Sequence, residues 1–165
     1  GYVFLDGETG EARSFRVTGN HVLEGMLTTN MNGEVLEEIT AYMTENMAEY
    51  GKKGLILYGN IPGLAYYLDM PPAIYTTWAD LDSNPYDRLE EELSEISLGM
   101  EDDRPLVVIT PKLDAFLAGN EEAMDFWGTD RAACEQDKKL GVIGRFLSEN
   151  AYEQVFANEA FVVYK

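Results

Sequence analysis

Residues 54–58, Gly-Leu-Ile-Leu-Tyr, constrain this chain more than any other stretch. Four consecutive apolar side chains leave no polar face, so a strand made from them is covered on both sides. A sheet with one wet face would show alternation instead. The run then stops on Gly59-Asn60-Ile61-Pro62. Gly59 admits a backbone conformation that a side chain would forbid. Asn60 offers an oxygen to cap a following helix, and Pro62 suits a first helical turn because it lacks a donor that would go unused there. Together these residues predict a strand, a sharp turn and a helix. A second continuously apolar run, residues 106–110, is stopped by Pro111.

Between and around these runs the apolar spacing is helical. Residues 33–50 place Leu36, Ile39, Met43, Met47 and Tyr50 on one stripe, with Asn30 and Asn32 as candidate caps and Gly51 as the stop. The methionines of that stripe read as core filling, with a binding face as the sharper alternative. Residues 74–78 read as another strand. Ser83 or Asn84 then caps a helix that has Pro85 in its first turn and buries Leu89, Leu93 and Ile96. The Glu90-Glu91-Glu92 run is its solvated side. Residues 112–135 read as irregular or broken helices whose Phe116, Phe126 and Trp127 pack on the body, and residues 136–150 as a helix facing inward through Leu140, Ile143 and Leu147.

Turn chemistry at Asp6-Gly7 and Gly10 predicts a hairpin of residues 2–5 and 14–17, and the chain closes on a second hairpin turning at residues 157–159. Alternating strands and helices predict an α/β fold: a three-layer, Rossmann-like sheet with parallel central strands and antiparallel hairpin edges, in one domain spanning residues 1–165.

Thirty acids against twelve bases give a net charge of −18. Such a surface repels nucleic acid and anionic membrane, so neither is an expected partner. A single cysteine, Cys134, excludes an internal disulfide and reads as a small core residue, and with His21 as the one histidine a His/Cys zinc site is not expected. No apolar run approaches the roughly 20 residues of a membrane span. The sequence contains no G-x-G-x-x-G, Walker or G-x-S-x-G motif, and Gly141 and Gly144 fall inside a helix, so no cofactor is expected.

In open α/β sheets, ligands bind beyond the carboxyl ends of the strands. That rule makes Tyr58, Gly59 and Asn60 candidate ligand-binding residues. The segment Thr-Thr-Trp-Ala-Asp-Leu-Asp-Ser at 76–83 adds Trp78, Asp80, Asp82 and Ser83. An indole face with carboxylates and an amide suits carbohydrate, which presents apolar C–H faces and rings of hydroxyls. The structural reading competes: Trp78 as core, Asp82 and Ser83 as caps, Asn60 as a turn residue. Asp80 and Asp82 also form a D-x-D pair, the spacing with which some transferases hold a divalent metal and a sugar nucleotide.

Residues 55–93, 104–110 and the closing Tyr-Glu-Gln-Val-Phe-Ala-Asn-Glu-Ala-Phe-Val-Val-Tyr-Lys resemble the soluble C-terminal domain of bacterial polytopic membrane proteins. Those proteins are similar to lipid-linked-sugar glycosyltransferases of the protein mannosyltransferase-like class. The resemblance rests most on Tyr58-Gly59-Asn60-Ile61-Pro62, Trp78 and Asp82-Ser83. It implies an extracytoplasmic domain, excised here from a longer membrane protein, whose partners are the membrane-embedded part of the same polypeptide and a carbohydrate. The transferase carboxylates would lie in that other part, leaving this domain non-catalytic. The abrupt start at Gly1, without an initiator Met, fits that expectation. The alternative is a stand-alone enzyme, either a metal-dependent sugar-nucleotide transferase using Asp80 and Asp82 or a small hydrolase.

Overall fold

A computed structural model describes residues 15–16, 27–28, 30–59, 63–75, 79, 84–99, 104–119 and 131–165. The elements are β1 (Phe15–Arg16), β2 (Leu27–Thr28), α1 (Asn30–Glu45), α2 (Met47–Tyr50), β3 (Leu55–Tyr58), α3 (Leu64–Tyr67), α4 (Tyr86–Gly99), β4 (Leu106–Ile109), α5 (Pro111–Leu117), α6 (Arg131–Glu149), β5 (Gln154–Ala157) and β6 (Val162–Tyr164). The fold is mixed α/β. Its main sheet has four strands in the order β3-β4-β6-β5. Strands β3 and β4 are parallel, with Leu55 opposite Leu106 and Tyr58 opposite Ile109. Strand β6 is antiparallel to β4 and to β5.

Both apolar runs are buried along their whole length, as their composition requires. Alternate residues serve opposite faces. Leu55, Leu57, Leu106, Val108 and Val163 pack with Leu36 and Ile39 of α1 and Leu64 and Tyr67 of α3. Ile56, Tyr58, Val107, Ile109 and Val162 pack with Leu89 and Leu93 of α4, Leu113 of α5, and Leu140, Ile143 and Phe146 of α6. A fully buried aliphatic side chain contributes about 1.5–3 kcal/mol, so these two clusters dominate the stability.

A parallel pair requires the chain to return to the amino edge of the sheet between the strands. Helix α4 makes that return. Ser97 in its last turn accepts a hydrogen bond from Asn150 Nδ2 (3.0 Å), and the carbonyl of neighbouring Ala151 accepts one from Arg104, just before β4 (3.4 Å). The end of α4 therefore stands on the side from which β4 sets out.

Several expectations change. The centre of the sheet is β4 against β6, an antiparallel pair, and the parallel pair is β3 and β4 with β3 outermost. The closing hairpin does extend the sheet, but β1 pairs antiparallel with β2 in a separate two-stranded sheet. Residues 2–5 lie outside the described residues. Residues 73–75 form bends, and the pairing available there is one parallel bridge between Pro72 and Leu55. In that bridge Leu55 N–H donates to Pro71 O (2.8 Å) and Ala73 N–H donates to Leu55 O (3.0 Å). Pro71 and Pro72 have no N–H, so the strand-like composition that follows has no ladder to extend.

The helix expected over 33–50 begins at Asn30 and breaks at Asn46. Met47 is 56% exposed, whereas Leu36, Ile39, Met43 and Tyr50 are buried. Gly51 ends α2 in a right-handed conformation. Its need for glycine is steric, because a Cβ there would stand 2.8 Å from Met47 O. Residues 111–117 form a short helix with Pro111 in its first turn, one piece of the irregular or broken helices expected over 112–135.

Candidate functional site

At the carboxyl edge, β3 and β4 end side by side and release the chain at Gly59 and Thr110. Gly59 has φ +122° and is buried. A Cβ at that position would meet Thr110 Cγ2 at 3.0 Å and Leu113 Cδ1 at 3.1 Å. Both the positive φ and the close approach demand glycine, so the turn is fixed where the sequence places it.

Tyr58 is fully buried among Ile56, Val107 and Ile109 and their helical partners. It is a core residue and not part of an accessible rim, because the odd–even alternation of β3 turns it inward beneath α5 and α6. Asn60, Trp78, Asp80, Asp82 and Ser83 lie outside the described residues, so of the candidate set only Tyr58 and Gly59 are positioned.

The residues flanking 76–83 are informative. Ala79 is fully buried. Tyr75 is 78% exposed, and the Arg88 guanidinium of α4 lies over its ring at 4.2 Å. Asn84 is 4% exposed; its Nδ2 is 3.5 Å from Ala79 O and its Oδ1 accepts no hydrogen bond. Asn84 was a candidate cap for α4, but a cap oxygen accepts from the first helical N–H groups, and this one does not. A buried amide oxygen without a donor costs about 1–3 kcal/mol, and this one lies two residues before α4 begins.

Concave regions lie elsewhere among the described residues, and two of them are roomy and partly polar-lined. One is a groove of about 240 Å³ between α1, α2 and α3, lined by Met43, Met47, Met70 and Tyr67 with Thr40 and Asp69 at its polar side. Thr40 Oγ1 donates to Leu36 O (2.8 Å) and lies 3.2 Å from Tyr67 Oη. Burial raises the Tyr67 phenol above its ordinary pKa.

The other is a cavity of about 360 Å³ at the amino edge of the sheet, lined by Glu49, Lys53, Arg104, Glu153 and Lys165 among others. Lys53 is 6% exposed and its Nζ donates to Arg104 O (3.2 Å). The Arg104 guanidinium lies over the Tyr152 ring at 4.8 Å. Lys165 pairs with Glu49. Sequence reasoning missed this second region because Lys53, Arg104 and Lys165 stand far apart in the chain and no local motif joins them.

Other polar side chains are committed to structure. Tyr164 Oη donates to Asp114 Oδ1, and burial together with that carboxylate holds the phenol above its ordinary pKa. Asn158 Oδ1 accepts from the N–H groups of Ala160 (3.0 Å) and Phe161 (2.8 Å), while its Nδ2 donates to Val35 O (3.0 Å) and so ties the hairpin to α1. Among the described residues no group of three or more His, Cys, Asp or Glu side chains is arranged to hold a metal ion, and no helix is long and apolar enough to cross a membrane. Compared with known proteins, the chain matches no family model, no curated protein and no solved structure.

Proposed function

We propose that this chain is a non-catalytic accessory domain of a membrane glycosyltransferase-like protein. In this reading it stands at the extracytoplasmic face and contacts glycan or acceptor at the carboxyl edge of its sheet. The layering is read as three-layer and Rossmann-like, with one parallel pair retained from that plan. The observation that supports the reading best is the β3–α4–β4 crossover. It brings Gly59 and Thr110 together at one edge, which is where α/β sheets receive ligands. The candidate contacts are Asn60, Trp78, Asp80, Asp82 and Ser83, which in sequence follow Gly59 and precede α4. The membrane-embedded part of the same polypeptide is the proposed partner.

Calorimetric titration with mannose-type and cell-wall saccharides tests the reading. Binding weakened about tenfold by Trp78→Ala, an effect typical of a lost aromatic anchor, is the expected result. Silence across the panel removes the glycan role. A manganese-dependent rise in Tm, larger with a sugar nucleotide and lost in Asp80→Asn, would instead favour the metal-dependent transferase, since a ligand of the folded state raises its apparent stability.

A further inference from the structure

The amino edge of the sheet carries a feature that runs against the charge of the whole molecule. Acids outnumber bases thirty to twelve in the chain, yet among the described residues three bases, Lys53, Arg104 and Lys165, line a single cavity with two acids, Glu153 and Glu49, the second of them paired with Lys165. The topology produces this convergence. Lys53 and Arg104 immediately precede the parallel strands β3 and β4, and Lys165 follows β6, which runs antiparallel to β4. Backbone bonds between Lys165 and Glu153 in both directions (2.9 Å each) close the far side.

Arg104 is the centre of the site. Its guanidinium has five N–H donors in a fixed fork. Within the described structure it makes one hydrogen bond, 3.4 Å long, to Ala151 O, and stacks on Tyr152. Among the described residues no carboxylate lies within ion-pair distance of it. An arginine set over a ring beside a cavity of about 360 Å³, without a carboxylate partner among the described residues, has donors to offer an anion from outside. Lys53 holds the arginine's backbone from below through its bond to Arg104 O.

We propose that this cavity is a binding site for a small oxyanion group, a phosphate or a carboxylate, received bidentately by Arg104 with Lys165 as a second charge. The site is separate from the carboxyl edge and does not rest on the glycan reading. Glu153 and Glu49 restrict it to ligands of modest negative charge and offer acceptors for hydroxyls or an ammonium on the same ligand.

Titrating the whole chain with inorganic phosphate and, separately, with acetate at matched ionic strength, read by backbone amide NMR shifts, tests the site. The expected result is saturable shifts at Lys53, Arg104, Tyr152 and Lys165 with at least one of the two anions, and the tighter binder identifies the headgroup. Arg104→Gln is expected to weaken binding about tenfold, as for loss of a charge-assisted bidentate contact. Glu153→Gln, at an exposed side chain, is expected to tighten it about threefold by removing a competing charge. These opposite signs keep the test valid should Arg104→Gln disturb the fold. Absence of saturable shifts with both anions, or equal affinities in wild type and Glu153→Gln, would overturn the proposal.

Discussion

At the scale of single residues, two positive-φ positions make opposite predictions. Gly59, at φ +122°, has no room for a Cβ, so Gly59→Ala is expected to lower stability by about 1–3 kcal/mol. Ala151, at φ 51°, follows α6, with Tyr152 N–H bonded to Leu147 O (2.9 Å). That bond is the Schellman closure in which glycine is usual, so Ala151→Gly is expected to raise stability by about 1 kcal/mol. Urea denaturation reads both, and equal signs would contradict the assignment. The sequence reveals the first position because Gly59 ends an apolar run. It hides the second, because alanine gives no sign of a left-handed turn.

Buried phenols set the alkaline limit. Burial raises Tyr152 above its ordinary pKa against the lowering effect of Arg104, and its Oη donates to Pro105 O (2.8 Å). A phenol whose folded pKa exceeds its unfolded one contributes stability that is full below the unfolded value, about 10, and is lost as pH rises through the folded value. Tm is therefore expected to be flat near neutrality and to fall above about pH 10. Tyr152→Phe should make that fall shallower while lowering stability at neutral pH by about 1 kcal/mol. An unchanged alkaline slope in the variant would show that other phenols dominate.

At the scale of elements, burial outweighs surface charge in holding α4 against α6. Ile143 is fully buried among Leu89, Leu93 and Phe146, while Arg145 and Glu90 join the same helices across solvent at 2.5 Å. Ile143→Ala is expected to cost about 2–5 kcal/mol and Arg145→Ala no more than about 1 kcal/mol, by thermal or urea unfolding. A larger effect at Arg145 would reverse this ordering. Elements with strong local signals were legible: β3 and β4 from unbroken apolar runs, α4 from Pro85 and its stripe, and the closing hairpin from Asn158. Elements decided by missing donors or by tertiary pairing were not. Ile74 and Tyr75 have strand composition but form bends beside the bridge of Pro72 to Leu55, and residues 76–78 of the expected strand lie outside the described residues. Met47 keeps the helical phase of a buried stripe and is exposed because the helix breaks at Asn46.

At the scale of the whole molecule, the sheet has two chemically distinct ends. The carboxyl edge is built by a left-handed glycine and a parallel pair, and of the residues the sequence offers there, Gly59 is positioned at the turn, Tyr58 is core and the others lie outside the described residues. The amino edge gathers bases from three distant points and becomes visible only once the strands are paired. This division is the basis of the functional account, in which the carboxyl edge is the glycan-contacting face.

Amide NMR shift mapping with a mannose-type oligosaccharide tests that account most directly. The account predicts saturable shifts concentrated at Gly59, Thr110, Ala79 and Asn84, with the amino-edge residues Lys53 and Lys165 unmoved. Saturable shifts confined to the groove beside Met43 and Tyr67, or a spectrum unchanged by every saccharide offered, would contradict it.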